Sequence, residues 1–531
     1  MLELTVSEIE FLKTSAVTGR MSRRDFLGRM GALGVGAPLA SSMLSSAVLA
    51  AGPQYGGTMR LGIRGGTPED SLDPAHAANQ VGTIVTRLWG EPLVDLAEDE
   101  GLEGKVAETF SGSADGKTWT FRIRQGITFS NGKAVTAEDA VASLRRHADP
   151  ETGSGGAGVL SGISNIRAEG SDVIITLEQP NVDLPYLLTD RHLIIQPNGG
   201  YDAPEAAIGT GRYILKQVNK GELIVAEKNP NHWDALGYAS TIELHVINDD
   251  AARVQALVSG QVDMIDRVPP NDAAAIQTAA GVNLHQTSGP GHYVFVMHTD
   301  TAPFDNNDLR LALKYAINRE EMVEKVLRGL GSVGNDSPIN ASYPLFTPIE
   351  QRRYDPDLAA YHLRKSGHSG PIILRTSNNS FVGAPEAAKL FKASAAQAGI
   401  ELDIQMAPED TYWSEVWNKQ PFCTSYWGGR PTQDQMFTTA YLSTSGWNDT
   451  RFNNPQFDQL LVAARSEADQ SKRRQMYADM ANLQRDNGGL ICPMFNDFVD
   501  ATSDRLAGWK SNVKGFALMN AFAPHKMWVT T

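Results

Sequence analysis

Catalysis in a chain of this length needs a phosphate cradle, an exposed nucleophile, a metal site or a carboxylate pair, and each demands particular residues at particular spacing. Glycine-rich loops cradle phosphate because their bare amides can meet an anion closely. The glycines of residues 31–36 and 153–158 neither follow a strand nor carry the Lys-Ser/Thr pair of a phosphate loop. No Gly-x-Ser-x-Gly elbow presents a serine, and no His-Glu-x-x-His occurs among the eleven histidines. His292 and His298 share one side of a predicted strand, but six extended residues hold them about 20 Å apart, too far to share an ion. Adjacent acids such as Glu320-Glu321 and Glu409-Asp410 read as solvated faces rather than acid/base dyads. Cys423 and Cys492 are too few for a disulfide scaffold or a cysteine-built metal centre. They either pair with each other or stay as two buried thiols.

The elements that would position any site follow from composition and periodicity. With 531 residues, 41 % hydrophobic and 20 % charged, the chain can build two or three domains with sizeable cores. Sixty-one acids against 47 Lys and Arg give a formal charge of −14, and no run of five basic residues reverses it locally, so nucleic acid is excluded as a partner. Thr58-Met59-Arg60-Leu61-Gly62-Ile63 alternates as a first strand, and Trp119-Thr120-Phe121-Arg122-Ile123-Arg124 alternates as a half-buried antiparallel strand leading to a hairpin at Asn131-Gly132. Thr136 and Asp139 form a capping box for a helix to about His147. Further strands are predicted over 172–178, 223–227, 242–247 and 293–299. Helices are predicted over 249–259 and 308–317, and from Asn318 to near Gly329. Residues 153–158 read as a flexible surface loop. Strands and helices mix without strict alternation, which favours an α/β protein of several lobes over a single doubly wound sheet or barrel.

The first fifty residues are an address. Ser22-Arg23-Arg24-Asp25-Phe26-Leu27 precedes an uncharged stretch over 30–50 that ends in Val48-Leu49-Ala50, the pattern of a twin-arginine signal peptide. A membrane anchor is the rival reading, but the glycines, proline and serines of that stretch make it weakly apolar. Export places the chain on the oxidising side of a bacterial inner membrane, through the twin-arginine machinery.

A longer series of segments carries a resemblance. It runs through Gly56-Gly57-Thr58-Met59-Arg60-Leu61-Gly62, Asp70-Ser71-Leu72-Asp73-Pro74-Ala75, and Asp115-Gly116-Lys117-Thr118-Trp119-Thr120-Phe121-Arg122-Ile123-Arg124-Gln125-Gly126-Ile127-Thr128-Phe129. It continues through Thr136-Ala137-Glu138-Asp139-Ala140-Val141, Gly209-Thr210-Gly211-Arg212-Tyr213 and Asn229-Pro230-Asn231-His232-Trp233. Gly260-Gln261-Val262-Asp263-Met264-Ile265-Asp266 and Leu309-Arg310-Leu311-Ala312-Leu313-Lys314-Tyr315-Ala316-Ile317-Asn318-Arg319 complete it. In this order and spacing the chain resembles the family 5 extracellular solute-binding proteins of ABC importers, the peptide, nickel and opine group.

The resemblance implies an α/β, two-lobed periplasmic binding protein fold of type II with an extra domain inserted in lobe I. It implies lobe I over 51–288 and 501–531, with the insertion about 89–200, and lobe II over 289–500. The chain would cross a hinge near 288–291 and again near 500–503, where Gly289-Pro290-Gly291 suits a crossing. Capture in the cleft and delivery to ABC permease subunits, without chemistry or cofactor, is the implied function. The ligand class is peptides or peptide-like solutes. Nickel-chelate or opine-type receptors are the nearer alternatives, and an exported hydrolase the more distant one.

By the same resemblance three segments face the ligand: 72–76, 377–381 and 426–434. They supply His76, Asn378, Asn379, Tyr426, Trp427, Gly429, Arg430 and Asp434. The last segment also has a logic of its own, an aromatic wall, glycines that admit a ligand to the backbone, then a fixed cation. Trp427 can equally be a core aromatic, Arg430 half of a surface ion pair, and His76 a hydrogen-bonded loop residue. Dipeptide binders of the family commonly hold the ligand ammonium with an Asp after Trp-x-Gly and its carboxylate with an Arg from the earlier loop. Aligned without gaps, Gly429 and Asn378 stand at those two positions, so both ionic anchors are missing. Arg430 supplies a positive charge instead, which suits a ligand bearing an acidic group.

Overall fold

The computed structural model describes residues 2–17, 21, 23–36, 39–40, 43, 52–97, 101–510 and 516–530. Its strands are β1 (Thr58–Ile63), β2 (Val94–Leu96), β3 (Leu102–Gly104), β4 (Ala107–Gly112), β5 (Thr118–Ile123), β6 (Ile163–Glu169) and β7 (Asp172–Leu177). They continue as β8 (Tyr213–Asn219), β9 (Leu223–Lys228), β10 (Thr241–Val246), β11 (Met264–Ile265), β12 (Val282–Met297), β13 (Gly331–Val333) and β14 (Ile372–Thr376). The last are β15 (Leu402–Met406), β16 (Phe422–Trp427), β17 (Leu490–Ser503), β18 (Leu506–Ala507) and β19 (Trp528–Val529).

Most of the predicted elements form, because their signals are local. Phe121 and Ile123 alternate into a core with the helix Ala137–Ala148, whose capping box joins the Thr136 and Asp139 side chains to each other's backbone amides. β4-β5-β7-β6 make a four-stranded antiparallel sheet over that helix. This sheet and helix have a core of their own, distinct from the one under β1, β8, β9 and β10.

A sheet of eleven strands runs through both lobes in the order β15-β14-β16-β12-β17-β11-β1-β10-β9-β8, with β13 on β17. β12 and β17 are its antiparallel spine, pairing from Val282↔Ser503 to Val296↔Leu490. The predicted strand over 293–299 is thus the end of a 16-residue strand. Gly289-Pro290-Gly291 does not break it. Proline lacks an N–H for the ladder, and the strand absorbs the loss as a register shift between Ser288, opposite Asp497, and His292, opposite Phe495.

Beyond that shift the spine is buried on both faces. Phe295 and Met297 join one core with the helices Asn307–Tyr315 and Ala384–Ala396, while Val294 and Val296 join another with the helices Gln433–Ala440, Pro455–Ser466 and Gln470–Asn487. The helix from Asn318 is shorter than predicted, ending at Lys325. Cys423 and Cys492 both lie in the second of these cores as free, fully buried thiols, so the pairing considered from sequence is corrected. Their strands flank β12 on either side, and two strand spacings of about 4.8 Å exceed the reach of a disulfide.

Near the start of the chain, the helices Leu2–Val17 and Arg23–Ala32 pack through Leu12, Ala16, Phe26 and Met30. The expected cut after Ala50, with residues 44–51, lies outside the described residues. Among the described residues no helix is long and apolar enough to cross a membrane.

Candidate functional site: a cleft between two walls

A cavity of about 1420 Å³ separates segments far apart in sequence. Its first wall is the turn after β1, the loop 153–163, the stretch 177–192 and the C-terminal residues Phe516, Asn520 and Ala521. The second is the stretch 428–439 with Ser445, Trp447 and Arg465.

The turn after β1 is built on Asp73. Its carboxylate accepts the Ala75 N–H at 3.0 Å and the Arg146 guanidinium, which fixes the short helix Pro74–His76. Burial pushes the Asp73 carboxyl up, but Arg146 and the Ala75 amide outweigh it and hold it below the ordinary range. His76 stands exposed on the cavity wall. The Gly155 amide donates to the Ala75 carbonyl at 2.9 Å, so the predicted flexible loop is instead part of the wall. A Cβ at Gly155 would come within 2.5 Å of His192 Nε2; the glycines serve close packing. His192 Nδ1 lies 2.5 Å from Asp190 Oδ1, and between these two residues Arg191 donates from Nε to the Ala77 carbonyl at 2.8 Å.

On the second wall β16 ends in Gly428-Gly429-Arg430. Gly429 has φ +78, and a Cβ there would stand 2.4 Å from Pro290 Cγ, so the loop rests directly on the irregular part of the spine. The Arg430 guanidinium donates to the Gly429 carbonyl at 2.6 Å and lies 5.7 Å over the Trp427 ring. Among the described residues it has no carboxylate partner, and burial lowers its pKa with only Tyr343 opposing. Asp434 lies in the first turn of the helix Gln433–Ala440, and Arg465 Nε holds it at 2.8 and 3.1 Å. Burial pushes the Asp434 carboxyl up to about 6, with Arg465 pulling the other way.

Of the eight residues expected at the ligand, His76, Gly429, Arg430 and Asp434 line this cavity; Asn378, Asn379, Tyr426 and Trp427 do not. Asn378 and Asn379 donate to the Glu409 side chain and carbonyl at 2.8 Å, outside the cleft. Tyr426 packs edge-on to Trp413, on the opposite strand face from Trp427. Trp427 is a core aromatic, and its indole N–H shares the buried Asp449 Oδ2 with that of Trp417, at 3.3 and 3.0 Å. The tryptophan that lines the cavity is Trp447, 58 % exposed and packed 6.1 Å from the Trp427 ring. Trp447, Arg191 and Arg465 escaped the sequence reading, since nothing local separates them from other surface residues. Asp434 is already engaged by Arg465, which leaves Arg430 and Arg191 as wall cations with only carbonyl acceptors. Among the described residues no group of three or more His, Cys, Asp or Glu side chains is placed to hold a metal ion.

Comparison with known proteins adds to this geometry. Residues 101–449 match the bacterial extracellular solute-binding proteins, family 5, middle region. The periplasmic oligopeptide-binding protein OppA of Haemophilus influenzae is 26 % identical over 510 residues, spanning 86 % of this chain and 92 % of the relative. The periplasmic murein peptide-binding protein MppA of Escherichia coli is 26 % identical over 479 residues, covering 81 % and 88 % respectively. Among solved structures, the binding protein AgaA of A. tumefaciens R10 in complex with agropinic acid superposes with a TM-score of 0.73 at 24 % identity, covering 90 % of this chain and 99 % of that one, a likeness of fold. The matched span, the two-lobed sheet and the interlobe cavity agree, and the chain belongs to the family 5 bacterial extracellular solute-binding proteins.

Proposed function

We propose that this protein is the periplasmic receptor of an ABC importer, capturing peptides or peptide-like solutes bearing an acidic group and passing them intact to the permease subunits. The observation that carries this reading is the interlobe cavity of about 1420 Å³ with the half-buried Arg430 guanidinium in its wall and no acid beside it among the described residues. That volume exceeds the roughly 300–1,000 Å³ of an ordinary small-molecule site, leaving room for a ligand of several residues with its water. A partly desolvated cation without a carboxylate partner gains from a ligand anion that completes it. Only closed lobes offer both walls at once, so ligand binding is coupled to closure. Relatives named for oligopeptides and murein peptides support the peptide class.

In this reading lobe I is 51–288 with 501–531, carrying an inserted domain about 89–200, and lobe II is 289–500. The lobes flex about the β12–β17 spine where its register shifts. His76 and the Gly429 backbone meet the ligand beside Arg430. Residues 1–50 are a twin-arginine leader that delivers the chain to the periplasm.

Native mass spectrometry of the full chain purified from the periplasm without refolding tests this directly. A retained peptide-like mass, displaced by added peptide and released unchanged, is the expected result. Peptides returned cleaved, or a chain of unprocessed mass recovered from the cytoplasm alone, would contradict it.

A further inference from the structure

Arg191 is the second cation of the cleft, and its surroundings match those of Arg430. Nε donates to the Ala77 carbonyl at 2.8 Å, and among the described residues no carboxylate stands within ion-pair distance of it. Asp190, its neighbour in sequence, is engaged through Oδ1 by both the ring and the amide of His192. Two other arginines on the cavity wall are engaged by carboxylates. Arg87 is paired to Asp95, which lies outside the cavity, and Arg465 is paired to Asp434. Glu178 is exposed on the first wall, and His76 adds a further basic group there. After these pairings each wall keeps one arginine without a direct ion pair among the described residues, Arg191 feeling Asp190 only at longer range and sharing its wall with Glu178, in a chain whose formal charge is −14. A guanidinium on the cavity wall that is not already forked to a carboxylate can take one from a ligand, and on closure of the proposed receptor one ligand could reach both arginines.

We propose that Arg191 and Arg430 are two anion subsites on opposite walls, so that the ligand on which the cleft closes carries at least two negative groups. This rests on the receptor reading and narrows it to acidic peptides and other dicarboxylate solutes. The two walls then read the two anions independently, and a ligand with one acid group satisfies only one of them.

Isothermal titration of the full, ligand-stripped chain with Glu-Ala-Ala and Ala-Ala-Glu, each beside its Gln counterpart, isolates charge from shape. At least one Glu peptide is expected to bind about tenfold or more tighter than its Gln twin. Arg191→Gln is expected to reduce that preference to about twofold or less with an unchanged thermal melt, and Arg191→Lys to recover part of it. Glu and Gln peptides binding equally to the wild type, or a preference that survives Arg191→Gln, overturns the second subsite while leaving the receptor reading intact. A wild-type chain that binds none of the four overturns the receptor reading on which the proposal stands.

Discussion

Asp183, on the stretch 177–192, and Arg473, on the helix Gln470–Asn487, are joined with 2.6 Å between Oδ2 and Nη2, each side chain 7 % exposed. Arg473 also donates to the Tyr477 hydroxyl at 3.1 Å and the Ala464 carbonyl at 2.9 Å, while the adjacent Val182 amide donates to the Arg465 carbonyl at 3.0 Å. These bonds hold the walls together without touching a ligand in the cavity. In the proposed receptor they form on closure, since opening would return both charges to water.

Asp183→Asn should therefore weaken ligand binding at a distance. A buried charge-assisted bond is worth about 1.5–3 kcal/mol, so affinity should fall about ten- to hundredfold, mainly through faster dissociation. Stopped-flow fluorescence resolves the two rates. An unchanged dissociation rate contradicts a closing role.

Arg430→Ala should trade binding for stability. Removing a half-buried cation that has no carboxylate partner among the described residues leaves the unliganded melting temperature equal or higher. It also removes the fork for a ligand anion, at a cost of about 1.4 kcal/mol or more, or tenfold in affinity. Affinity within about threefold of wild type would exclude Arg430 from the site.

Gly429→Ala tests the contact between the ligand loop and the spine. A Cβ at φ +78 and 2.4 Å from Pro290 must displace the loop or the register shift beneath it. We expect a loss of about 1–3 kcal/mol in stability, together with weaker binding. Denaturant melts and titration on the same sample measure both. An unaltered melt shows that the loop floats free of β12.

Asp449 makes stability pH-dependent. Burial pushes its carboxyl up to about 7, opposed by the indole donors of Trp417 and Trp427. A folded-state pKa above the ordinary carboxylate range means that the native state holds the proton more tightly. Its contribution is fully present below about pH 4 and is lost as pH rises through about 7. Asp449→Asn keeps an acceptor for the indoles and removes this titration. Relative to wild type, the variant should gain on the order of 2–4 kcal/mol between pH 4 and 8. Parallel melts across that range check it, and an unchanged difference between the two proteins refutes the assignment.

The sequence reading succeeded where the physics is local. Thr136 and Asp139 complete a capping box within three residues, and Trp119 to Arg124 alternate within one strand, so neither needs a distant partner to be recognised. The α/β class and the two-lobed arrangement were legible through the ordered series of family segments. The cleft was half legible. Arg430 and Gly429 were read as cation and backbone approach, but Trp427 and Trp447 exchange roles, because only tertiary burial decides which indole lies in the core and which faces the cavity. Arg191 leaves no trace in sequence; its place depends on the packing of 177–192 against the turn after β1. The glycines of 153–158 read as flexibility, whereas His192, almost forty residues on, requires them for contact.

Small-angle scattering of the ligand-stripped chain during titration with acidic peptides tests the central claim most directly. Hinged lobes that close on a guest predict a saturable fall in the radius of gyration, with the same midpoint as the calorimetric binding curve. Saturable binding with an unchanged scattering profile would contradict it.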